Sequence, residues 1–329
     1  VHQRENGVFY SVALCVENVD DRFLERHGID EHGAFYKAVG DNGLCDFTTA
    51  EAYEKKNRQP EGYADLQSLV TSLGLTGAAL EAWLFDNADL PSWVNWHAGT
   101  VISQNIDASN KNYYIHRDTM GSREWSVLPW DLDLSFGPNA LNTDVIVFNQ
   151  SAPSTPQCTS HPLIGARPWM LHAGKFNRMI EALSRTPRVR EMIARRIRTL
   201  SDRFLATGWF GSRMDALVPV IDADVTADHA KWGANSHFAW TGGTAYTLAQ
   251  SVARIKSGYL AGRMNYLTGT TGVNHGMPYS LNFTNGSGSL GVPASQVAVQ
   301  AMAFGRVEAN PAGAVSYTHL RAHETGRNL

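Results

Sequence analysis

Several kinds of chemistry are excluded by what this sequence lacks. It has three cysteines in 329 residues (Cys15, Cys45 and Cys158), too few and too spread for a disulfide framework, and none in a CxxC or other metal-ligand spacing. His161, His172, His229, His237 and His275 are scattered without ligand spacing, so no zinc motif is legible. Charge is sparse and nearly balanced: 28 Lys and Arg against 31 Asp and Glu leave a formal net charge of −3, which gives no footprint for nucleic acid. Charged residues make up only 18% of the chain, which argues against disorder. No apolar run approaches the roughly 18 residues of a membrane span.

What is present supports a real core. Hydrophobic residues reach 43% and aromatic residues 10%, enough for one large or two ordinary domains at this length. Arginines cluster in Arg185–Arg203, but that run also has helical apolar spacing and reads as a solvated helix face. The chain opens in VHQRENGVFYSV, already strand-like, and is expected to be a fragment. At the other end SYTHLRAHET resembles a translated sequencing adapter, so residues 315–329 are set aside as an expected artefact.

In order, Val8–Val16 is β-branched and aromatic and predicts a buried strand. A short helix follows Asp20 and Asp21, and Gly33–Ala38 predicts a second strand. From Pro60 the apolar period becomes helical, with Leu66, Leu69, Val70 and Leu73 on one face and Gly74 as C-cap. Ala78–Phe85 is a second helix, and Asp89 with Pro91 starts a third that runs to about Gln104. Asn112–His116 and Glu124–Leu128 predict a hairpin. Pro138–Pro168 reads as a long loop. Helices follow through Phe176–Leu183, Thr186–Phe204, Met214–Val225 and Thr244–Leu267, and a Gly/Ser-rich β element begins at Gly272. Two glycosylation sequons near Asn282 and Asn285 read as turn residues.

The chemistry is concentrated in Val101–Gly137. Asp107 and Asn112 are five residues apart, the spacing protein kinases use for the aspartate that takes the acceptor's hydroxyl proton and the asparagine that holds Mg²⁺. The hairpin is expected to bring Asp131 and Asp133 back to them. Phosphoryl transfer needs metal ions to neutralise phosphate charge and one carboxylate aimed at the nucleophile, and hard oxygen ligands suit Mg²⁺. Asp131 is favoured as the metal ligand, with Asp133 as a second ligand or orienting residue. The tripeptide His116-Arg117-Asp118 spells the kinase HRD, yet Asp118 falls at a turn and Arg123, not Asn, stands five residues on, so it reads as a coincidence. On spacing alone the alternative stays open that Asp107 caps a turn while Asp131 and Asp133 solvate the hairpin exit.

Two blocks add a resemblance. GVFYSVALCVENVDDRFLERHGIDEHGAFYKA and QNIDASNKNYYIHRD…EWSVLPWDLDLSFG resemble the CotH kinase family, over roughly residues 7–270. The resemblance implies an α+β, atypical protein-kinase-like fold: N-lobe strands, truncated here, then a mainly helical C-lobe with an active-site hairpin, then a short β tail. It implies ATP- and Mg²⁺-dependent phosphorylation of Ser/Thr on secreted, surface or spore-coat proteins. By residue, Asp107 matches the catalytic aspartate, Asn112 the metal-binding asparagine and Asp131 the metal-binding aspartate. Glu17 and Lys37 match family positions in the strands, either lining the nucleotide cleft or forming a structural salt bridge.

The expected organisation is an N-lobe remnant over 1–50, a helical C-lobe over 51–271 containing the hairpin of 101–137, and a β linker opening a truncated β module over 272–314. The phosphate-gripping lysine of the N-lobe is expected upstream of residue 1. Two rival functions remain: a non-catalytic surface adhesin that keeps the fold, and, more remotely, a metal-dependent hydrolase using Asp107, Asp131 and Asp133.

Overall fold

The computed structural model describes residues 1–40, 43–44, 52–105, 108, 111–139, 142–146, 148, 160–161, 165–166, 177–233 and 246–268. The strands are β1 (His2–Glu5), β2 (Val8–Val12), β3 (Ala34–Ala38), β4 (Tyr53–Lys55), β5 (Tyr113–Arg117), β6 (Trp125–Pro129), β7 (Pro138–Asn139), β8 (Asn142–Ile146), β9 (Ser160–His161) and β10 (Gly165–Ala166). The helices are α1 (Asp21–Arg26), α2 (Ala64–Ser72), α3 (Gly77–Asn87), α4 (Leu90–Ser103), α5 (Arg178–Arg185), α6 (Pro187–Leu200), α7 (Trp209–Trp232), α8 (Leu248–Arg254) and α9 (Ala261–Thr268). Helix and sheet are therefore mixed, in keeping with the α+β expectation.

An antiparallel sheet of order β4-β3-β5-β6 holds the centre. Strand period two divides its side chains between two faces. Ala34, Tyr36, Ala38, Tyr113, Ile115, Trp125 and Val127 belong to the main core with the apolar residues of α2 to α6. Phe35 and Tyr114 face the other way and close a small core with Val19 and with Leu24 of α1. Asp20 caps α1 by accepting from the Phe23 N–H at 3.1 Å.

Helix α4 is apolar on nearly every side and correspondingly buried, with Trp93, Val94, Ala98, Val101 and Ile102 all in the core. Asp89 caps it, accepting from the Ser92 N–H at 3.3 Å, and Pro91 sits in its first turn. That same end covers the free edge of β6. The Asp89 N–H donates to the Trp125 carbonyl (2.9 Å), and the Ser92 hydroxyl exchanges hydrogen bonds with both the N–H and the carbonyl of Val127 (3.0 Å each). Covering an edge in this way removes a template for unwanted strand pairing.

The structure departs from the sequence reading in four places. First, Val8–Val16 is not a buried strand. Asn6 and Gly7 both take positive φ (51° and 83°), making a tight hairpin turn, and β2 ends at Val12 with its partner β1 fully exposed. The hairpin is fastened instead to α7: the Val12 N–H donates to Asp228 (2.8 Å), His2 meets Asp224 (2.9 Å), and Lys231 and the Trp232 indole donate to the carbonyls of Phe9 and Tyr10. Second, β4 is an additional strand, in a stretch whose polar YEKK sequence carries no β-branched residue. Third, the long loop contains the short ladders β7–β8 and β9–β10. Fourth, the helix of Thr244–Leu267 begins at Leu248, capped by Thr247, and passes through a π-helical stretch, Ile255–Leu260, before α9; another such stretch, Ser201–Ala206, follows α6.

The β element after Gly272, the segment 315–329, Cys45 and Cys158 lie outside the described residues. Cys15 is free and exposed. Among the described residues no helix is long and apolar enough to cross a membrane.

One glycine is fixed by close approach. A Cβ on Gly33 would run into the His116 ring and the Arg117 carbonyl, both on the neighbouring strand β5. Gly33→Ala is therefore expected to destabilise the protein by about 1–3 kcal/mol, the usual cost of overpacking, measured as a shift of the urea midpoint. A midpoint within error of the parent would contradict this packing.

Candidate functional site

The site is built at the open end of the β5–β6 hairpin, beyond the C-terminal end of α4. Helix α4 stops at Gln104, whose φ of 49° turns the chain out of the helix, and the buried Asn105 returns its N–H to the Thr100 carbonyl at 3.0 Å. Asp107 lies outside the described residues. The chain is described continuously again from Lys111.

Asn112 sits just before β5. Its N–H donates to the Ala38 carbonyl and its own carbonyl accepts from the Trp130 N–H, both at 3.2 Å. The sheet therefore continues one rung past Tyr113↔Pro129, and Asp131 is the next residue on the opposing strand. Asn112 and Asp131 both take left-handed backbone, with φ of 62° and 53°. Residues other than Gly, Asn and Asp mostly avoid that region. Asp131 and Asp133 are exposed, whereas Ser135 is buried. Thus the hairpin brings Asn112 and the Asp131 segment together, as the sequence reading expects for its two ends.

Lys37 projects from β3 on the α1 side of the sheet, directly across from Tyr114 and Glu54. Its ammonium lies 5.1 Å from the Trp130 ring centroid and 5.7 Å from that of Tyr114, and the two rings meet edge to face. Glu54 is paired with Lys56 at 2.8 Å. Lys37 is thus held by aromatic faces, one of them that of Trp130, the residue before Asp131, and the described residues place no carboxylate in ion-pair contact with it. Burial, then the nearby Glu54 charge, pushes the Tyr114 phenol pKa up. Glu17 is elsewhere engaged: it pairs with Arg26 at the end of α1 and lies 3.5 Å from His27, so no Glu17–Lys37 bridge forms.

The HRD tripeptide is structural. Asp118 accepts from the backbone N–H groups of Met120 (3.0 Å), Gly121 (2.9 Å) and Ser122 (2.6 Å), wrapping the turn between β5 and β6. His116 is buried and contacts the Asp30 carbonyl at 2.7 Å, and Arg117 stacks over Trp125.

Sequence reasoning missed the groups that hold the end of α4. Arg263 of α9 is fully buried, and its Nε (3.0 Å) and Nη2 donate to the Val101 carbonyl while Nη1 donates to that of Phe148 (2.7 Å). Burial pushes its guanidinium pKa down, partly countered by Tyr259 and Tyr266. The Tyr259 hydroxyl donates to the Ile102 carbonyl, and the Phe136 N–H to that of Ser103, both at 2.7 Å. An arginine in an otherwise apolar helical face is the one signal that points to it.

Among the described residues no group of three or more His, Cys, Asp or Glu side chains is placed to hold a metal ion, and Asp107 is not one of those residues. The donors present are the carboxylates of Asp131 and Asp133 and the amide oxygen of Asn112. They are hard oxygens, and the carboxylates are exposed. That donor set fits Mg²⁺.

The sequence matches the model of one protein family, described as CotH kinase protein, over residues 1–267. No curated protein matches it.

Two outcomes test this geometry. Left-handed backbone at Asn112 and Asp131 means that Asn112→Gly and Asp131→Gly should each be more stable than the matching Ala variant by about 1 kcal/mol, read by guanidinium unfolding. At Asp118, burial raises the carboxyl pKa, but the hydrogen bonds from Gly121, Ser122 and Met120 outweigh it and hold the group below its usual range. A lowered folded value means stability that is present above the unfolded pKa, about 3.9, and lost as pH falls through the folded value. Asp118→Asn should therefore be less stable than the parent at neutral pH by about 1 kcal/mol, and the gap should close in acid.

Proposed function

Since the chain belongs to the CotH kinase protein family, we propose that it is a CotH-like protein Ser/Thr kinase, dependent on ATP and Mg²⁺, with an atypical kinase-like fold. In this reading residues 1–50 belong to the nucleotide side and 51–271 to the helical lobe, with 272–314 a β linker. Its acceptors are secreted, surface or coat proteins bearing Ser or Thr. The observation that carries the reading is the meeting of Asn112 with the Trp130–Asp131 segment, in left-handed backbone, at the open end of a hairpin.

Asn112 and Asp131, with Asp133 behind them, would hold the metal, which when bound supplies neutralisation of phosphate charge. Asp107 orients the acceptor hydroxyl and takes its proton, since it precedes Asn112 by the kinase spacing. Lys37 offers a positive charge unclaimed by a carboxylate among the described residues, suited to a phosphate oxygen. The pairing of Glu17 with Arg26 favours a structural role for Glu17, at the edge of the same lobe.

The test is transfer of labelled γ-phosphate from Mg²⁺·ATP to dephosphorylated casein. Asp107→Asn and Asp131→Asn should each remove at least about 10³-fold of the turnover while retaining the parent's circular dichroism, and Asp118→Asn should keep it. Transfer at the parent rate by both of the first two variants would overturn the assignment. Absence of any Mg²⁺·ATP-dependent rise in melting temperature would favour the adhesin, and phosphate release without acceptor the hydrolase.

A further inference from the structure

We propose that Arg263, with Tyr259 beside it, is a positioning residue for this site, fixing the end of α4 from which the segment carrying Asp107 and Asn112 departs. The inference rests on the kinase reading of that segment.

A helix leaves its last four carbonyls without intrahelical partners. In α4 these belong to Thr100, Val101, Ile102 and Ser103. Thr100 is served locally by the Asn105 N–H. Among the donors to the other three are Arg263, Tyr259 and the Phe136 N–H. Two of these donors lie 162 and 157 residues away in sequence. Phe136 is the point where the chain returns after Asp131 and Asp133, and its ring meets those of Tyr259 (5.8 Å) and Phe210 (5.1 Å).

The chain therefore enters the site region from α4 and leaves it at Phe136, and both points are fixed on the same helix end. On the opposite side the Ala38–Asn112–Trp130 rung fixes the strands. In sequence, Asp107 falls between the first anchor and the second, and Asn112 is part of the second. Arg263 adds what a neutral donor would not: a positive charge at the negative end of the helix dipole, and a planar fork that reaches the carbonyls of Val101 and Phe148 at once. A buried arginine is costly to keep unless its donors are satisfied by such acceptors. Methionine would fill much of its space while releasing those carbonyls.

Arg263→Met, Arg263→Lys and Tyr259→Phe are compared with the parent by amide hydrogen exchange and by phosphate transfer from Mg²⁺·ATP to casein. Exchange over residues 104–112 and at Phe136 should quicken about tenfold in Arg263→Met and Tyr259→Phe, the size of one net hydrogen bond, while amides of α2 and α3 keep their rates. Turnover should fall about tenfold with KM for ATP unchanged, within the roughly hundredfold that a 1 Å misplacement costs, and Arg263→Lys should recover part of it. Parent-like exchange over 104–112 in a folded variant overturns the proposal, and so does an equal quickening in α2 and α3, which would mark general destabilisation. If Arg263→Met fails to fold, Tyr259→Phe, which deletes one hydroxyl, decides. Asp131→Asn keeps the two readings apart: if it transfers phosphate like the parent, or the parent transfers none, the kinase reading falls and the exchange result alone decides whether Arg263 positions the segment.

Discussion

The carbonyls at the C-terminal end of α4 must find donors, because this helix runs through the core where water cannot serve them. The donors come from three directions: the turn at Asn105, the return of the chain at Phe136, and the side chains of Tyr259 and Arg263. That one requirement draws the C-terminal helices, the hairpin exit and the site region to a single point. At its other end α4 is tied to the edge of β6 through Asp89 and Ser92. The same helix thus holds the hairpin at one end and its exit at the other, which makes the relative placement of Asn112 and Asp131 a property of the core rather than of a surface loop.

The sheet divides the work between its two faces. One face is sealed by the helices and carries most of the apolar burial. Among the described residues the other is covered by α1 and a small cluster, against which Lys37 lies half-buried on Tyr114 and Trp130. Left-handed backbone gathers where the sealed and open regions meet, at Gln104, Asn112, Asp131 and Phe136. Such conformations persist only where surrounding packing over-determines them, and the hydrogen bonds to Ala38, Trp130 and Ser103 supply that determination.

Much of this is legible in the sequence where a local pattern has a single physical meaning. The period of Leu66, Leu69, Val70 and Leu73, the Asp89–Pro91 cap and the aromatic run of Tyr113–Arg117 each specify their element. The turn role of Asp118 could be read because Thr119-Met-Gly-Ser122 follows it. The fate of Val8–Val12 could not: a β-branched run looks the same whether it enters a core or lies on a helix, and only Asn6-Gly7 hinted at a local hairpin. Strand β4 was invisible because its pairing with β3, not its composition, makes it a strand. Arg263 left one faint signal, its place in an otherwise apolar helical face, but a basic residue in a helical pattern is assigned to solvent until its distant acceptors are known.

The fastening of β1 and β2 to α7 also sets an order of events. The Val12 N–H and its acceptor on Asp228 are 216 residues apart. At synthesis rates of about 5–20 residues per second, the β1–β2 hairpin leaves the ribosome roughly 10–40 s before the helix that holds it. Throughout that interval Tyr10 has no Trp232 to lie against, and isolated two-stranded hairpins are marginal in water. Closing so long a loop is slow, and a segment made well before α7 is among the last to be secured. A nascent chain halted before Asp224 would carry an unpartnered strand pair, the kind of exposed edge on which chaperones and misassembly compete.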